Sequence, residues 1–261
     1  MNLIITAGGT RERIDAVRTI TNDSTGRLGS LIAAEFLRRF ATQSHTIYYL
    51  CGVGSIIPDV EDPDIHIIRI EGTDQLQHEM SKLLSGQHIS AVIHSMAVSD
   101  YRIKCVTTPE AIARDVVQRN SYSSRSTTCE DWRNMIVEAF VEQPNKAEQK
   151  ISSELEHPVL VLEKTPKIID MIKKISPHTV LVGFKLLSGV SEDNLIETGY
   201  NLLLRNKCNF VLANDMDSIR KGNHEGYLID ADANYIKFVS KEHIAIGIVD
   251  NVLKEIEEDA N

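Results

Sequence analysis

A short apolar run, Leu3 to Thr6, stops at Gly8-Gly9 and predicts a buried β-strand closed by a glycine turn. From Gly26 to Phe40, apolar residues return at Leu28, Leu31, Ile32, Ala34, Phe36 and Leu37, the spacing of a helix with one buried face. Arg38 and Arg39 fall in its last turn, where they suit the helix dipole. These two patterns then alternate. Further strands are predicted at 46–51, 65–70, 89–98, 158–162, 178–182 and 210–213. Helices are predicted at 74–84 behind a Thr73 cap, at 191–206 and at 241–257. Another is expected to open with Thr165 as N-cap and Pro166 in its first turn, and to run to Ile175. Residues 226–239 read as a hairpin, with a place for it at a dimer interface. Across 111–150 the pattern weakens into two short helical stretches around a polar, Ser/Thr-rich segment, which reads as an insert or flap. The expected fold class is α/β. It is a Rossmann-like, doubly wound, mostly parallel sheet flanked by helices, in a single domain over 1–261.

Charge and composition narrow the partners. With 28 Lys and Arg against 37 Asp and Glu, the net charge of −9 argues against a protein that tracks a nucleic-acid backbone. The cysteines, Cys51, Cys105, Cys129 and Cys208, form no C-x-x-C pair, so a zinc site is not expected. No apolar run approaches the roughly 18–20 residues of a membrane span, and no basic segment precedes the first apolar run. A cytoplasmic protein with no membrane partner is the expectation.

The glycine turn invites an anion, since backbone N–H groups and a helix N-terminus converge there. A dinucleotide is the obvious guest, but the residues do not favour it. There is no G-x-G-x-x-G, and the second strand ends in Cys51-Gly52 with no carboxylate for a ribose hydroxyl. No tyrosine has a lysine four residues on, which removes the usual proton donor of a short-chain reductase. Neither a P-loop nor a G-x-S-x-G elbow occurs. What remains is a set of small, amide and acidic groups at strand ends: Asn22, Met96-Ala97, Asp100, Phe184 and Asn214. That set fits a nucleotide-phosphate site with little side-chain chemistry of its own. A nicotinamide-dependent reductase, or a non-catalytic nucleotide-binding protein on a Rossmann-like fold, stays open as the alternative.

Five blocks in order resemble phosphopantothenate–cysteine ligases. They are Thr6-Ala7-Gly8-Gly9-Thr10 with its sequel to Gly29, Ala97-Val98-Ser99-Asp100-Tyr101, Lys164-Thr165-Pro166-Lys167-Ile168-Ile169, Gly183-Phe184-Lys185-Leu186, and Val211-Leu212-Ala213-Asn214-Asp215. The likeness is to the stand-alone form. It implies joining 4′-phosphopantothenate to L-cysteine during coenzyme A synthesis, through an acyl-nucleotidylate made from CTP or ATP. Carried over by position, Gly9, Ser24, Gly26, Gly29, Pro166, Lys167, Ile168, Ile169, Phe184 and Asn214 would line the nucleotide site. Asn22, Met96, Ala97 and Asp100 would meet phosphopantothenate, and Arg18 would reach the site of a neighbouring subunit in a homodimer. Asn22, Asp100 and a flap lysine, Lys150 before Lys146, would be the catalytic groups. Mg²⁺ would be held through the triphosphate, with Asp100 the one side chain suggested for it. The sequence departs from many bacterial members at Leu202 and Asn206, where those carry lysines, and this leaves the choice between CTP and ATP open.

Overall fold

The computed structural model describes residues 1–40, 44–60, 62–121, 127–142, 151–152, 154–220 and 224–259. In chain order the elements are β1 (Asn2–Ala7), β2 (Arg11–Arg13), β3 (Thr19–Thr21), α1 (Arg27–Phe40), β4 (Thr46–Gly52) and β5 (Ile65–Ile70). Then come α2 (Thr73–Gly86), β6 (Ala91–His94), β7 (Tyr101–Thr107), α3 (Pro109–Ser121), α4 (Cys129–Val141) and β8 (Val159–Lys164). The chain closes with α5 (Ile169–Ile175), β9 (Val180–Leu187), α6 (Glu192–Asn206), β10 (Phe210–Asp215), α7 (Met216–Arg220), β11 (Gly226–Ile229), β12 (Tyr235–Phe238) and α8 (Lys241–Asp259).

Where the sequence reading has one domain, the chain forms two compact units: 1–10, 22–98 and 167–261 make the first, and 11–21 with 99–166 the second. The first holds an eight-stranded sheet ordered β12-β11-β10-β9-β6-β1-β4-β5. Its six strands from β10 to β5 are parallel, and β11 and β12 add an antiparallel hairpin at one edge. This is the doubly wound α/β fold expected from the alternation of strand and helix. The strand order reverses between β1 and β6, and such a switch point leaves a crevice at the strands' C-terminal ends.

Period-2 alternation along β1 splits the core into two layers. Leu3, Ile5 and Ala7 pack with Ile32, Ala33, Phe36, Leu37 and Phe40 of α1 and with Ile244, Ile248 and Val252 of α8. Ile4 faces the other way, with Leu76, Met80 and Leu84 of α2, Ile172 of α5 and Leu203 of α6. Each large apolar side chain fully buried in these layers contributes about 1.5–3 kcal/mol.

In the second unit, β2 and β3 form a short hairpin, β7 and β8 pair antiparallel, and α3 packs on α4 through Ile112, Val116 and Ala139. The insert expected over 111–150 thus holds most of α3 and all of α4, in its described part. Strand β7 was not predicted. Nor was α7.

Three local expectations change. Thr73 is the first residue of α2; Gly72 holds the N-cap position and makes no side-chain cap bond. Thr165 does not cap α5, which begins at Ile169: its hydroxyl donates instead to the Ser99 carbonyl, and its N–H to the Asp100 carbonyl 3.1 Å away. The strand expected over 89–98 keeps regular pairing only at Ala91–His94, because Ser95 N–H turns back to Ile93 O and Met96 N–H leaves for a side chain of β1.

Candidate functional site

The crevice of the first unit starts at the end of β1. Gly8 has φ +78°, and a Cβ there would lie 1.8 Å from Ser55 Oγ, so the turn admits no side chain as it stands. The chain then runs beside the end of β6: Gly9 bridges to Ala97, Ala97 N–H donates to Gly8 O at 2.8 Å, and Thr10 N–H donates to Ala97 O at 3.2 Å. Asn22 joins the same carbonyl, with Nδ2 3.1 Å from Ala97 O. Its side chain is exposed and held at the strand end.

Helix α1 begins directly after this loop. Its first i→i+4 bond runs from Ser30 N–H to Gly26 O, so the N–H groups of residues 27–29 lie ahead of the helical ladder, at the positive end of the dipole. The first turn carries no acidic residue. Gly29 lets this turn approach the sheet, for a Cβ there would meet Ala7 Cβ at 2.6 Å and Ser95 Oγ at 3.0 Å. Ser24 is half-buried in the loop leading in. Along the same face, Phe184 on β9 packs against the layer that holds α1, and Asn214 lies two residues beyond Leu212 of that layer on β10. Gly29, Phe184 and Asn214 therefore share the α1 side of the sheet at its C-terminal edge, while Gly9, Ser24 and Gly26 lie in the loops that follow β1 and lead into α1.

Other residues named from the sequence go elsewhere. Met96 and Ile168 are 6% and 2% exposed and pack in the opposite layer, away from the face of α1. Ile169 is partly buried against that layer too, whereas Lys167 is exposed. Leu202 and Asn206 also turn inward: Leu202 packs on the same layer, and Asn206 is 5% exposed with Nδ2 on Leu202 O at 3.0 Å. On the second unit, Asp100 is exposed, and Pro166 is half-buried. Arg18 is exposed in the β2–β3 turn, with its guanidinium 3.5 Å from Asp15. The Asp15 carboxylate is buried and accepts N–H bonds from Val17, Arg18 and Ile151, which hold it below the usual carboxylate range. Lys150 and Lys146 lie outside the described residues.

Three supports of the crevice went unread in the sequence. Ser55 follows β4 and presses on the Gly8 turn, and Ile56 N–H ties that loop to Thr25 O at 3.0 Å. Arg69 of β5 holds the loop from beneath, reaching Gly52 O at 3.3 Å and Ser55 O at 3.0 Å. A lone arginine in the apolar run Ile65–Ile70 was the available signal. The third is a buried pair, Thr6 and His94, with Oγ1 3.0 Å from Nδ1. Burial pushes the Cys51 and Cys105 thiols up and that of Cys208 to about 12, away from the nucleophilic thiolate. Among the described residues, His45, Asp62 and Asp64 bring three ligand atoms within 4.8 Å of one another, but they precede β4 and β5, at the far end of the strands from the crevice.

Residues 1–116 and 134–256 match the family described as the DNA/pantothenate metabolism flavoprotein C-terminal domain. The chain belongs to this family. The match agrees with the resemblance carried by the five sequence blocks. Another member, the coenzyme A biosynthesis bifunctional protein CoaBC of Thermococcus kodakarensis, is 29% identical over 97% of this chain. That alignment takes in 51% of the relative, so the chain spans about half its length. The solved DNA/pantothenate metabolism flavoprotein of Streptococcus pneumoniae is 30% identical, with a TM-score of 0.76 over 97% of this chain and 99% of that one. A Cab2 mutant solved in complex with phosphopantothenate-cysteine shares the fold, with a TM-score of 0.67 at 14% identity, over all of this chain and 89% of its own. The solved member of Streptococcus pneumoniae thus shares the fold described above. No described helix is long and apolar enough to cross a membrane.

Proposed function

We propose that this protein is a ligase that joins 4′-phosphopantothenate and L-cysteine in coenzyme A biosynthesis. The observation that carries the reading is the switch-point crevice, where the Gly8-Gly9 turn, the start of α1 and the Asn22 amide meet around the end of β6. Membership of the family, and the role in coenzyme A biosynthesis that its Thermococcus kodakarensis relative is named for, support the same reading.

A carboxylate is a poor acyl donor until one of its oxygens becomes a leaving group. In the proposed first step, a carboxylate oxygen of phosphopantothenate attacks the α-phosphorus of CTP or ATP, the bond to the β-phosphate breaks, and pyrophosphate departs. In the second, the cysteine amine attacks the acyl carbon and loses a proton, the acyl–phosphate bond breaks, and a nucleoside monophosphate leaves. Both steps need anions held together and charge stabilised as it moves. The N–H groups at the start of α1 suit the phosphates, and Asn22, fixed on Ala97 O, offers its amide to the acyl phosphate. Phe184 and Asn214, on the face of α1, suit the nucleoside, and residues 166–169 are assigned to it by the motif match alone. Asp100 and Arg18 are assigned to phosphopantothenate, Arg18 across a homodimer, and Lys150 to the flap.

Mg²⁺ fits this scheme as an ion carried by the triphosphate, because the described three-ligand set lies at the other end of the strands. Bound there, it would neutralise phosphate charge, with the exposed Asp100 the side chain assigned to it. Purified protein given phosphopantothenate, cysteine and Mg²⁺ should release pyrophosphate with CTP or with ATP, and the two assays run side by side identify the nucleotide. Nucleotide binding without release under both conditions would replace the ligase reading with a binding protein. Oxidation of a nicotinamide cofactor would replace it with a reductase, a reading the Cys51-Gly52 end of β4 disfavours.

A further inference from the structure

We infer that Thr6 and His94 are positioning residues for the crevice, fixing the Met96–Ala97 segment on which Asn22 and the glycine turn hang. Only the kinetic consequence of this inference rests on the ligase reading.

Thr6 and His94 face each other at the ends of β1 and β6, in register, and both are buried, at 0% and 8% exposure. Thr6 Oγ1 accepts the N–H of Met96 at 3.1 Å. Its oxygen also lies 3.0 Å from Nδ1 of His94, and the arrangement we assign has the hydroxyl donate its proton to that nitrogen. Nδ1 must be an acceptor in that arrangement, which makes the imidazole neutral with its proton on Nε2. Burial favours the same state, pushing His94 down to about 4.

The relay ends where the crevice begins. Beyond Met96 a single peptide unit leads to Ala97, whose N–H and carbonyl make the bonds to Gly8, Thr10 and Asn22. Ser95, on the other side, is anchored by its hydroxyl on Thr6 O. Without the Thr6 hydroxyl the Met96 N–H loses the bond that bends the chain out of the β6 ladder, and without His94 that hydroxyl is no longer held in the orientation that accepts it. Asn22 and the Gly8 turn would shift with Ala97. Displacement by about 1 Å can cost on the order of 100-fold in rate. Neither Thr6 nor His94 touches substrate in this scheme; both act through Ala97.

Four variants test it. His94→Leu removes the acceptor, Thr6→Val removes the hydroxyl, Thr6→Val/His94→Leu removes both, and His94→Asn keeps an acceptor near the place of Nδ1. Two readouts are taken: kcat with KM for the nucleotide, and hydrogen exchange of the Ala97 and Thr10 amides against those of Leu3 and Ile93. H94L and T6V should lower kcat by about tenfold or more with KM changed by less than about threefold. Both should speed exchange at Ala97 and Thr10 while Leu3 and Ile93 stay protected. H94N should recover most of both readouts, and the double variant should be no worse than the poorer single one. Unchanged kcat and exchange in H94L would overturn the inference, as would H94N behaving like H94L. Should H94L not fold, His94→Gln, whose amide reaches the Nε2 position instead, takes its place with the same expectations. A wild-type protein without turnover would sink the ligase reading alone, since the exchange measurement still decides the positioning role.

Discussion

A methyl group at Gly8 would lie 1.8 Å from Ser55 Oγ, on a backbone with φ +78° that an L side chain rarely adopts. Gly8→Ala should therefore cost at least about 1–3 kcal/mol in a denaturant melt. Gly8→Ala/Ser55→Gly should recover the steric part and leave the backbone strain. Asn22→Ala removes an amide from the crevice edge while leaving the strands intact. Amide formation should fall strongly with the melting temperature kept; loss of the fold instead would assign Asn22 to the turn alone. His94 gives a pH prediction. Its folded value of about 4 is below the ordinary value near 6.5, so the folded state disfavours the imidazolium. Its contribution is fully present above about pH 6.5 and is lost as pH falls toward 4, by an amount on the order of 3 kcal/mol. A chemical denaturation series from pH 7 to 4 should show that decline, and His94→Asn, which does not titrate, should flatten it. Gly8-Gly9 and Asn22 could be picked out of the sequence. Ser55 could not, because its role depends on a loop brought alongside from the end of another strand.

Among the elements, α1 is the most fully written in the sequence. Its apolar spacing foretells most of the buried face: Ile32, Phe36 and Leu37 are at most 4% exposed, Leu28, Leu31 and Ala34 are half-buried, and Ala33 and Phe40 join the core from outside that pattern. Phe36→Ala should cost about 3–5 kcal/mol in thermal or chemical denaturation, through lost burial and a cavity under the sheet. Glu35 joins this helix to α8 through Arg39, which also reaches Asp250 at 2.5 Å. Helix α6, predicted from residue 191, is instead capped by it: Ser191 accepts from Asn194 N–H, and Ser191→Ala should lower stability by about 1 kcal/mol. Thr165 shows where local reasoning stops. Thr-Pro before an apolar run has the form of a helix start, yet the hydroxyl bonds Ser99 O, far off in sequence and beside it through the pairing of β7 and β8. Strand β7 escaped notice for a related reason, since its partner lies beyond α3 and α4.

For the molecule as a whole, the order β5-β4-β1-β6-β9-β10 matters more than any single strand. It puts the reversal next to the first glycine turn and so makes a crevice from segments far apart in sequence. The assignment of Arg18 to a neighbouring subunit belongs at this scale too. Sedimentation should give about twice the chain mass of 29.2 kDa. If Arg18 serves the partner's site, mixing and reassembling equal amounts of Arg18→Ala and Asn22→Ala chains should restore about a quarter of wild-type sites. No recovery on mixing would place Arg18 in the site of its own chain.

The sequence alone determined the parallel α/β class, the α1 face, the hairpin at 226–239 and the family, because these are written in local periodicity and in ordered motifs. It also marked the strand ends that carry Asn22, Phe184 and Asn214. Tertiary structure decided which of the marked residues share a face. Met96 and Ile168 proved to be core on one side of the sheet, whereas Phe184 and Asn214 stand with α1 on the other. It also supplied Ser55, Arg69 and the Thr6–His94 pair. The physical reason is that a strand alternates its faces every residue, while what each face meets is set by neighbours that only strand order brings together.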